Sequence, residues 1–498
     1  MHAWKYRLPG FMAFQPVEYQ VEASPLLHDD KGNFWAPLYS HDCSFTPEIF
    51  SKVMRNLILN PNLNSTFIAR ADITLDAPYT DDGVYDPIPM LLDVSGFTLN
   101  TVMIRSLIPR NPLVDNPMDQ TCLIYSQKGE IETKSLVIYL PHFKSPSESP
   151  FYHPAVHGIA FLHTFNSESH QGQVSIHYSF FDSAPKTEAV QRTALHLLRI
   201  LHKHGNGLLN GYVKKVHHDV VLPQAKTQQT YAKLKTMYAK DLITSWVEVT
   251  DPAKHVFEDL GIAAFLIELW AEMYPNGDNW PGFVDIGCGN GLLTHILIQE
   301  GYTGWGFDAR KRKSWDTYSP KTRENLKELV LIPSIIQSHN ENPGNKTDLT
   351  NEQDNIQGTH PGTFPKGTFI ISNHADELTP WTPILANLSE SPFIAIPCCS
   401  HNLTGARFRA PPSKEAGVSS SAYASLVAWV SKLAIDCGWK LEKEMLRIPS
   451  TRKECLLGRR RVMPFSEIAV EDVIAAYGGA SGWEENALKL VKVGPRGH

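Results

Sequence analysis

Several things are missing or scarce in this chain, and each absence narrows what it does. No run of roughly 18 apolar residues occurs, so no membrane span is expected. The opening M-H-A-W-K-Y-R-L-P-G lacks an apolar core long enough for a signal peptide. Basic charge is not in excess: 46 lysines and arginines face 52 acidic residues, a formal net charge of -6. Any contact with nucleic acid must therefore come from local basic patches, and DNA is not an expected partner. Cysteine is sparse. The seven (Cys43, Cys122, Cys288, Cys398, Cys399, Cys437 and Cys455) are scattered, with no C-x-x-C pair. Neither a disulfide framework nor a zinc site is suggested, and no metal is expected. These features point to a reducing compartment, the cytoplasm.

What is present is ordinary globular composition, 42% hydrophobic and 20% charged. At 498 residues the chain exceeds one typical core, so two domains are expected. Residues 1–215 read as a mixed α+β accessory domain of short strands and loops. Strands are expected at 135–140, 158–165 and 173–181, which are rich in β-branched and aromatic residues. An amphipathic helix is expected at 192–203, with Leu195, Leu198 and Leu201 on one side. His202, His204, His217 and His218 do not match the spacing of a metal site and read as solvated or core histidines.

The most informative stretch is 283–310. Phe283, Val284 and Ile286 make the short apolar run of a buried strand. Three alternate glycines follow, Gly287, Gly289 and Gly291, where the backbone must turn tightly and let a ligand come close. Leu292, Leu293, Ile296 and Leu297 recur at helical spacing, and Gly301 suits the helix end. A second strand, 305–307, leads to Asp308, about 20 residues past the first glycine, where an acid can bond both hydroxyls of a nucleotide ribose. The dinucleotide fingerprint wants glycine or alanine where Leu292 stands. Asp285, two residues ahead of the turn, would repel a pyrophosphate and attract a ligand bearing an ammonium and a sulfonium. The pattern resembles the first motif of class I S-adenosylmethionine methyltransferases.

Around this stretch the chain reads as alternating helices and strands, the mark of a doubly wound parallel sheet. Asp251 and Pro252 open a helix whose apolar stripe is Val256, Leu260, Ala263, Ile267 and Trp270. Lys254, His255, Glu258 and Asp259 fall off that stripe, either as a solvated face or at the mouth of the site. Arg310, Lys311, Arg312 and Lys313 make a basic run at the ligand edge of the sheet, a candidate phosphate-contacting patch. Residues 338–367 are poor in apolar side chains and are expected to be a flexible insertion. A buried strand at 368–372 opens into N-H-A-D-E-L-T-P-W, another at 393–396 into P-C-C-S-H, and 439–461 reads as a closing hairpin. Residues 466–498 are expected to form a small helical tail.

Taken together, T-D-P-A-K-H-V-F-E-D-L-G-I-A-A-F-L, V-D-I-G-C-G-N-G-L-L, G-F-D-A-R-K-R-K-S-W, H-A-D-E-L-T-P-W, I-P-C-C and L-R-I-P-S-T-R resemble the tRNA (uracil-2'-O-)-methyltransferase family over about 216–461. The resemblance implies a Rossmann-like class I methyltransferase domain at 216–465. It also implies S-adenosyl-L-methionine as cofactor and a tRNA partner, with uridine 44 of serine tRNA as acceptor. Where the family's last motif reads arginine–asparagine, this chain has Arg452 and Lys453.

The expected cofactor-binding residues are Asp285, Gly287, Gly289, Gly291, Asp308 and Asn373. Arg310, Lys311, Arg312, Lys313, Arg452 and Lys453 are the expected RNA-binding residues, though the last two could simply decorate a hairpin. His374 and Asp376 follow the strand whose end faces the transferred methyl and are the catalytic candidates. Asp376 could instead cap the next helix. Cys398 and Cys399 read as core sulfurs, since methylating a hydroxyl requires no enzyme thiol. Two other functions stay open: a methyltransferase with a protein or small-molecule acceptor, which the basic run disfavours, and a non-catalytic RNA-binding scaffold, which the intact Asp285, glycine turn and Asp308 disfavour. The sequence does not set an oligomeric state.

Overall fold

The computed structural model describes residues 14–20, 23–111, 114–181, 187–214, 217–337, 358–412 and 421–492. The chain divides into two compact units, Met1–Lys214 and Lys215–His498.

The first unit is built on an antiparallel sheet. Its strands are β1 (Val17–Glu18), β2 (Trp35–Cys43), β3 (Ile68–Pro78), β4 (Thr98–Pro109), β5 (Met118–Lys128), β6 (Glu132–Pro141), β7 (Val156–Asn166) and β8 (Gln171–Phe180). They are ordered β1-β2-β8-β7-β6-β5-β4-β3. Successive side chains point to opposite faces. Val137 and Tyr139 join the core under helices α1 (Pro47–Leu59) and α2 (Glu188–Leu209), while Leu136 and Ile138 join a second cluster around Trp35. The expected short strands are in fact up to 12 residues long. Their length was obscured because inward positions carry polar residues. Arg105, buried, donates to the Leu57 and Ile58 carbonyls at the end of α1 and to Gln120, supplying partners for helix-end acceptors. His202 is a core histidine, its ring tilted against that of His41 and bonded to Asn206.

The second unit begins with helices α3 (Gln224–Thr244) and α4 (Pro252–Met273). As expected, Asp251 caps α4 by accepting from Ala253 N, with Pro252 in the first turn. Then come β9 (Phe283–Ile286), α5 (Leu292–Gln299), β10 (Gly304–Asp308), α6 (Pro320–Glu324), β11 (Leu326–Glu328), β12 (Val330–Leu331), α7 (Ser334–Gln337) and β13 (Thr359–His360). The remainder is β14 (Phe369–Asn373), α8 (Thr382–Leu388), β15 (Phe393–Ile396), α9 (Ala422–Asp436), β16 (Glu442–Met445), β17 (Glu454–Gly458), α10 (Val470–Ala476) and α11 (Trp483–Lys492). The main sheet runs β11-β10-β9-β14-β15-β17-β16. All pairings from β11 to β15 are parallel, and only β17 is reversed, inserted between β15 and β16. This is the doubly wound α/β architecture of class I methyltransferases.

Alternation along the strands fills both faces. Phe283, Phe369, Ile371 and Ile394 pack with α4 and α5, whereas Val284, Ile286, Ile370 and Phe393 pack with α8 and α9. The winding order, not the strand direction, reverses about β9: successive strands are laid one way to β10 and β11 and the other way to β14 and β15. The crevice above the carboxyl ends of β9 and β14 is the topological switch point where such sheets bind ligands.

Two expectations change here. Residues 338–357 of the proposed insertion lie outside the described residues, but 358–367 are built into the fold. There β13 pairs with β12, and Phe364 is buried. The C-terminal helices are not peripheral: Trp483 is buried against Trp381 and donates its indole N–H to Leu331 O. Among the described residues, no helix is long and apolar enough to cross a membrane.

Candidate active site

A cavity of about 540 Å³ opens over the carboxyl ends of β9, β10, β14 and β15. It falls in the size range of small-molecule sites. Gly287, Gly289 and Gly291 carry φ angles of 69°, 54° and 73°, left-handed values that favour glycine. A side chain at Gly289 would meet no protein atom within 4 Å, so its backbone is open to a ligand. The loop is held from below. Trp315 Nε1 donates to Gly289 O at 2.9 Å, and Ser314 Oγ and Tyr318 Oη donate to Asn290 O. The sequence hinted at these props only through the aromatic that follows the basic run.

Asp285 lies on β9 and is 1% exposed. Thr294 Oγ1, from α5, donates to its Oδ2 at 2.8 Å, while Oδ1 is buried without a hydrogen-bond partner. Burial, and then the nearby charge of Asp308, push its carboxyl up to about 7 against the Thr294 bond. Asp308 closes β10, accepting from Gly289 N and Arg310 N at 3.1 Å each. Burial raises its pKa too, opposed by Arg312, whose guanidinium is 3.8 Å away, and by those two backbone bonds.

Glu258 and Asp259 overturn the solvated-face reading: they are 5% and 9% exposed and line the cavity. Helix α4 is buried on more than its apolar stripe, because it packs against both α3 and α5 and its start faces the strand ends. Asn373 Nδ2 donates to Asp259 Oδ1 at 3.1 Å, and His374 Nε2 lies 2.9 Å from Glu258 Oε1. Burial and the charges of Glu258 and Asp285 raise Asp259 well above the carboxylate range. Burial alone would raise Glu258 as well, but its bonds with His374 and Ser450 outweigh it and the net shift is downward. Glu258, Asp259, Asp285 and Asp308 thus line one cavity that favours a cationic ligand. S-adenosylmethionine fits this donor set. The unpartnered Asp285 Oδ1 suits its ammonium, Asp308 its ribose, and the open Gly289 a close backbone approach.

His374 and Asp376 both sit at the cavity with positive φ, 50° and 42°. Asp376 is not at a cap position. Ala375 precedes the short 3-10 turn Asp376–Leu378, Trp381 precedes α8, and neither helix has a side-chain cap bond. Instead Asp376 Oδ1 accepts from Cys398 Sγ at 2.9 Å. Cys398 and Cys399, read as core sulfurs, line the cavity with it. Cys399's hydrogen bond, burial and Asp376 all raise the Cys398 thiol.

The basic run does not form one patch. Arg310 and Arg312 line the cavity, whereas Lys311 and Lys313 are exposed, Lys311 pairing with Asp316 at 2.6 Å. Arg452 is exposed at the cavity rim, its guanidinium 4.5 Å over the Tyr423 ring. The backbone carbonyl of Lys453 accepts from Leu446 N in the β16–β17 hairpin region.

Comparison with known proteins agrees with this geometry. Residues 15–215 match a family described as "TRM44-like, N-terminal bet v1-like domain", and residues 221–333 one described as "Predicted AdoMet-dependent methyltransferase". The chain is 51% identical to the tRNA (uracil-O(2)-)-methyltransferase of Neurospora crassa, across 96% of this chain and 98% of that protein. It is 38% identical to the protein of that name in Schizosaccharomyces pombe, across 99% of each chain. The likeness to the one in Saccharomyces cerevisiae is also 38%, across 94% of each.

Proposed function

The chain belongs to the tRNA (uracil-O(2)-)-methyltransferase family, and from that premise we propose that it transfers the methyl of S-adenosylmethionine to the ribose 2'-hydroxyl of a uridine in tRNA, uridine 44 of serine tRNA. It is an S-adenosylmethionine-dependent methyltransferase. One observation carries the site assignment: a buried, unpartnered carboxylate oxygen on β9 shares a cavity with His374 and Asp376 at the end of the neighbouring β14.

In this reading Asp285, Asp308, Asn373 and the backbone of Gly287, Gly289 and Gly291 hold the cofactor. Arg310, Arg312 and Arg452 face the cavity and its rim, where they would meet the phosphates flanking the acceptor. Lys311, Lys313 and Lys453 extend that charge outward. From the scattered cysteine spacing we place the chain in a reducing compartment, the cytoplasm.

The bound cofactor supplies an electrophilic methyl. The chain's own task is to align a poorly nucleophilic hydroxyl with it and to accept the hydroxyl's proton. The methyl would come from the cofactor's carbon–sulfur bond, whose electron pair would stay on sulfur as the hydroxyl oxygen takes the carbon. His374 is our choice for the proton: with Nε2–H donated to anionic Glu258, Nδ1 is the free acceptor, and it has no hydrogen-bond partner. Nδ1 is shielded from solvent, so this role requires the ring or the 374–378 turn to move before the hydroxyl can meet it.

The test is a panel of serine tRNA transcripts with uridine, 2'-deoxyuridine or cytidine at position 44, incubated with the purified chain and methyl-labelled cofactor. Label should enter the uridine transcript, and replacing uridine 44 by its 2'-deoxy form should abolish it. Equal labelling of the deoxyuridine transcript would overturn the assignment.

A further inference from the structure

The parallel pairing of β14 with β15 matches Asn373 with Ile396, so the two chains leave the sheet side by side. Three residues beyond Asn373 is Asp376, and just beyond Ile396 are Cys398 and Cys399. Their ligand atoms, one carboxylate oxygen and two sulfurs, lie within 4.8 Å of one another. We propose that Asp376, Cys398 and Cys399 bind a thiophilic divalent cation of the zinc class, with its fourth coordination position open to the cavity.

The donor set suits such an ion. Two sulfurs and one carboxylate oxygen are all zinc ligands, and three protein ligands with one open position is the arrangement of reactive rather than structural zinc sites. The distances suit it as well. Bond lengths of about 2.0–2.3 Å put tetrahedral ligand atoms roughly 3.5–3.8 Å apart. The present spread of no more than 4.8 Å closes to that range with shifts of about an ångström. The sulfur–oxygen pair now at 2.9 Å would separate slightly as the ion replaces the shared proton. All three residues line the cavity, so the ion's free face points into it rather than into the core. No C-x-x-C spacing signals the site, because its ligands come from two adjacent strand ends. Binding rests on this geometry alone. Only its consequence, an ion placed to contact the acceptor oxygen, depends on reading the cavity as the methyl-transfer site.

Cobalt(II) reports such a site without requiring activity. The full chain, stripped of metal and kept in a non-thiol reductant, is titrated with Co²⁺. The proposal expects a near-ultraviolet sulfur-to-cobalt charge-transfer band together with the visible bands of a tetrahedral ion, saturating at one ion per chain. Cys398→Ser and Cys399→Ser should each weaken or abolish the band, and Asp376→Asn should lower affinity at least tenfold. Cys288→Ser, which removes another cavity thiol, should leave the band intact. Circular dichroism of each metal-free variant reports folding. A measurement on the unaltered chain guards against misfolded variants: X-ray absorption of the zinc-loaded protein should show two sulfur neighbours. Absence of the charge-transfer band, its persistence in both cysteine variants, or a zinc shell without sulfur would overturn the proposal. Loss of methyl transfer with the cobalt site intact would count against the function, not against the site.

Discussion

His374 Nε2 lies 2.9 Å from Glu258 Oε1, and this contact ties the end of β14 to the first turns of α4. The His374 backbone is at φ 50°, a strained value for a side-chain-bearing residue, and the carboxylate partner is almost fully buried. If His374 is the base and Glu258 its positioner, His374→Ala should slow single-turnover methyl transfer by about 10²–10⁴-fold, the usual worth of a general base. Glu258→Gln should cost much of the same factor alone but add little in the His374→Ala background. Full additivity of the two losses would separate them.

Asp285 yields a pH prediction. Its folded pKa of about 7 lies above the unfolded value, so the ligand-free fold favours the protonated acid. That contribution is complete below the unfolded pKa and is lost as pH rises through about 7. If Asp285 holds the cofactor's ammonium, as proposed, the carboxylate is the form that binds, so cofactor affinity should rise over the same range in which ligand-free stability falls. Asp285→Asn should flatten both trends: the ligand-free variant should melt no lower than wild type at pH 8 and bind cofactor more weakly. Parallel melting curves and calorimetry across pH 5–8 check this. A cofactor affinity that stays level across that range in the wild-type chain would count against the contact.

The split basic run predicts two kinds of variant. Lys311→Ala with Lys313→Ala should weaken tRNA binding and lower its log–log salt slope by up to about 0.9 per lost phosphate contact in duplex regions, leaving cofactor affinity alone. Arg312→Ala should change both, because Arg312 also stands 3.8 Å from Asp308. Filter binding at several salt concentrations, beside calorimetry of the cofactor, distinguishes the pairs. An unchanged salt slope in the double lysine variant would place the RNA contacts elsewhere.

Trp483 is buried in the methyltransferase core although it lies beyond the last strand. Trp483→Ala should destabilise that unit by about 3–5 kcal/mol, the usual cost of removing a buried Trp. A melting temperature within a degree of wild type would show the C-terminal helices to be dispensable.

The parts of this fold that were legible in the sequence share a cause: short-range chemistry. The strand–glycine turn–helix at 283–299, the Asp251–Pro252 helix start and the 439–461 hairpin each follow from local propensity, capping and alternation. Residues whose setting is decided by distant packing were harder. Glu258 and Asp259 look like a solvated face until α3, α5 and the strand ends close around α4. Cys398 looks like a core sulfur until β15 is laid beside β14 and Asp376 meets it. Arg105 inside a strand of the first unit is intelligible only once the carbonyls ending α1 lie against it.

Whether this cavity methylates a ribose oxygen of tRNA is read from the identity of the product nucleoside. The purified chain is incubated with unmodified serine tRNA and methyl-labelled S-adenosylmethionine, and the RNA is digested to nucleosides for mass spectrometry. One labelled product is expected, 2'-O-methyluridine, with the added mass retained on the ribose fragment. Label on the uracil base instead, or none in the RNA while the chain binds both substrates, would contradict it.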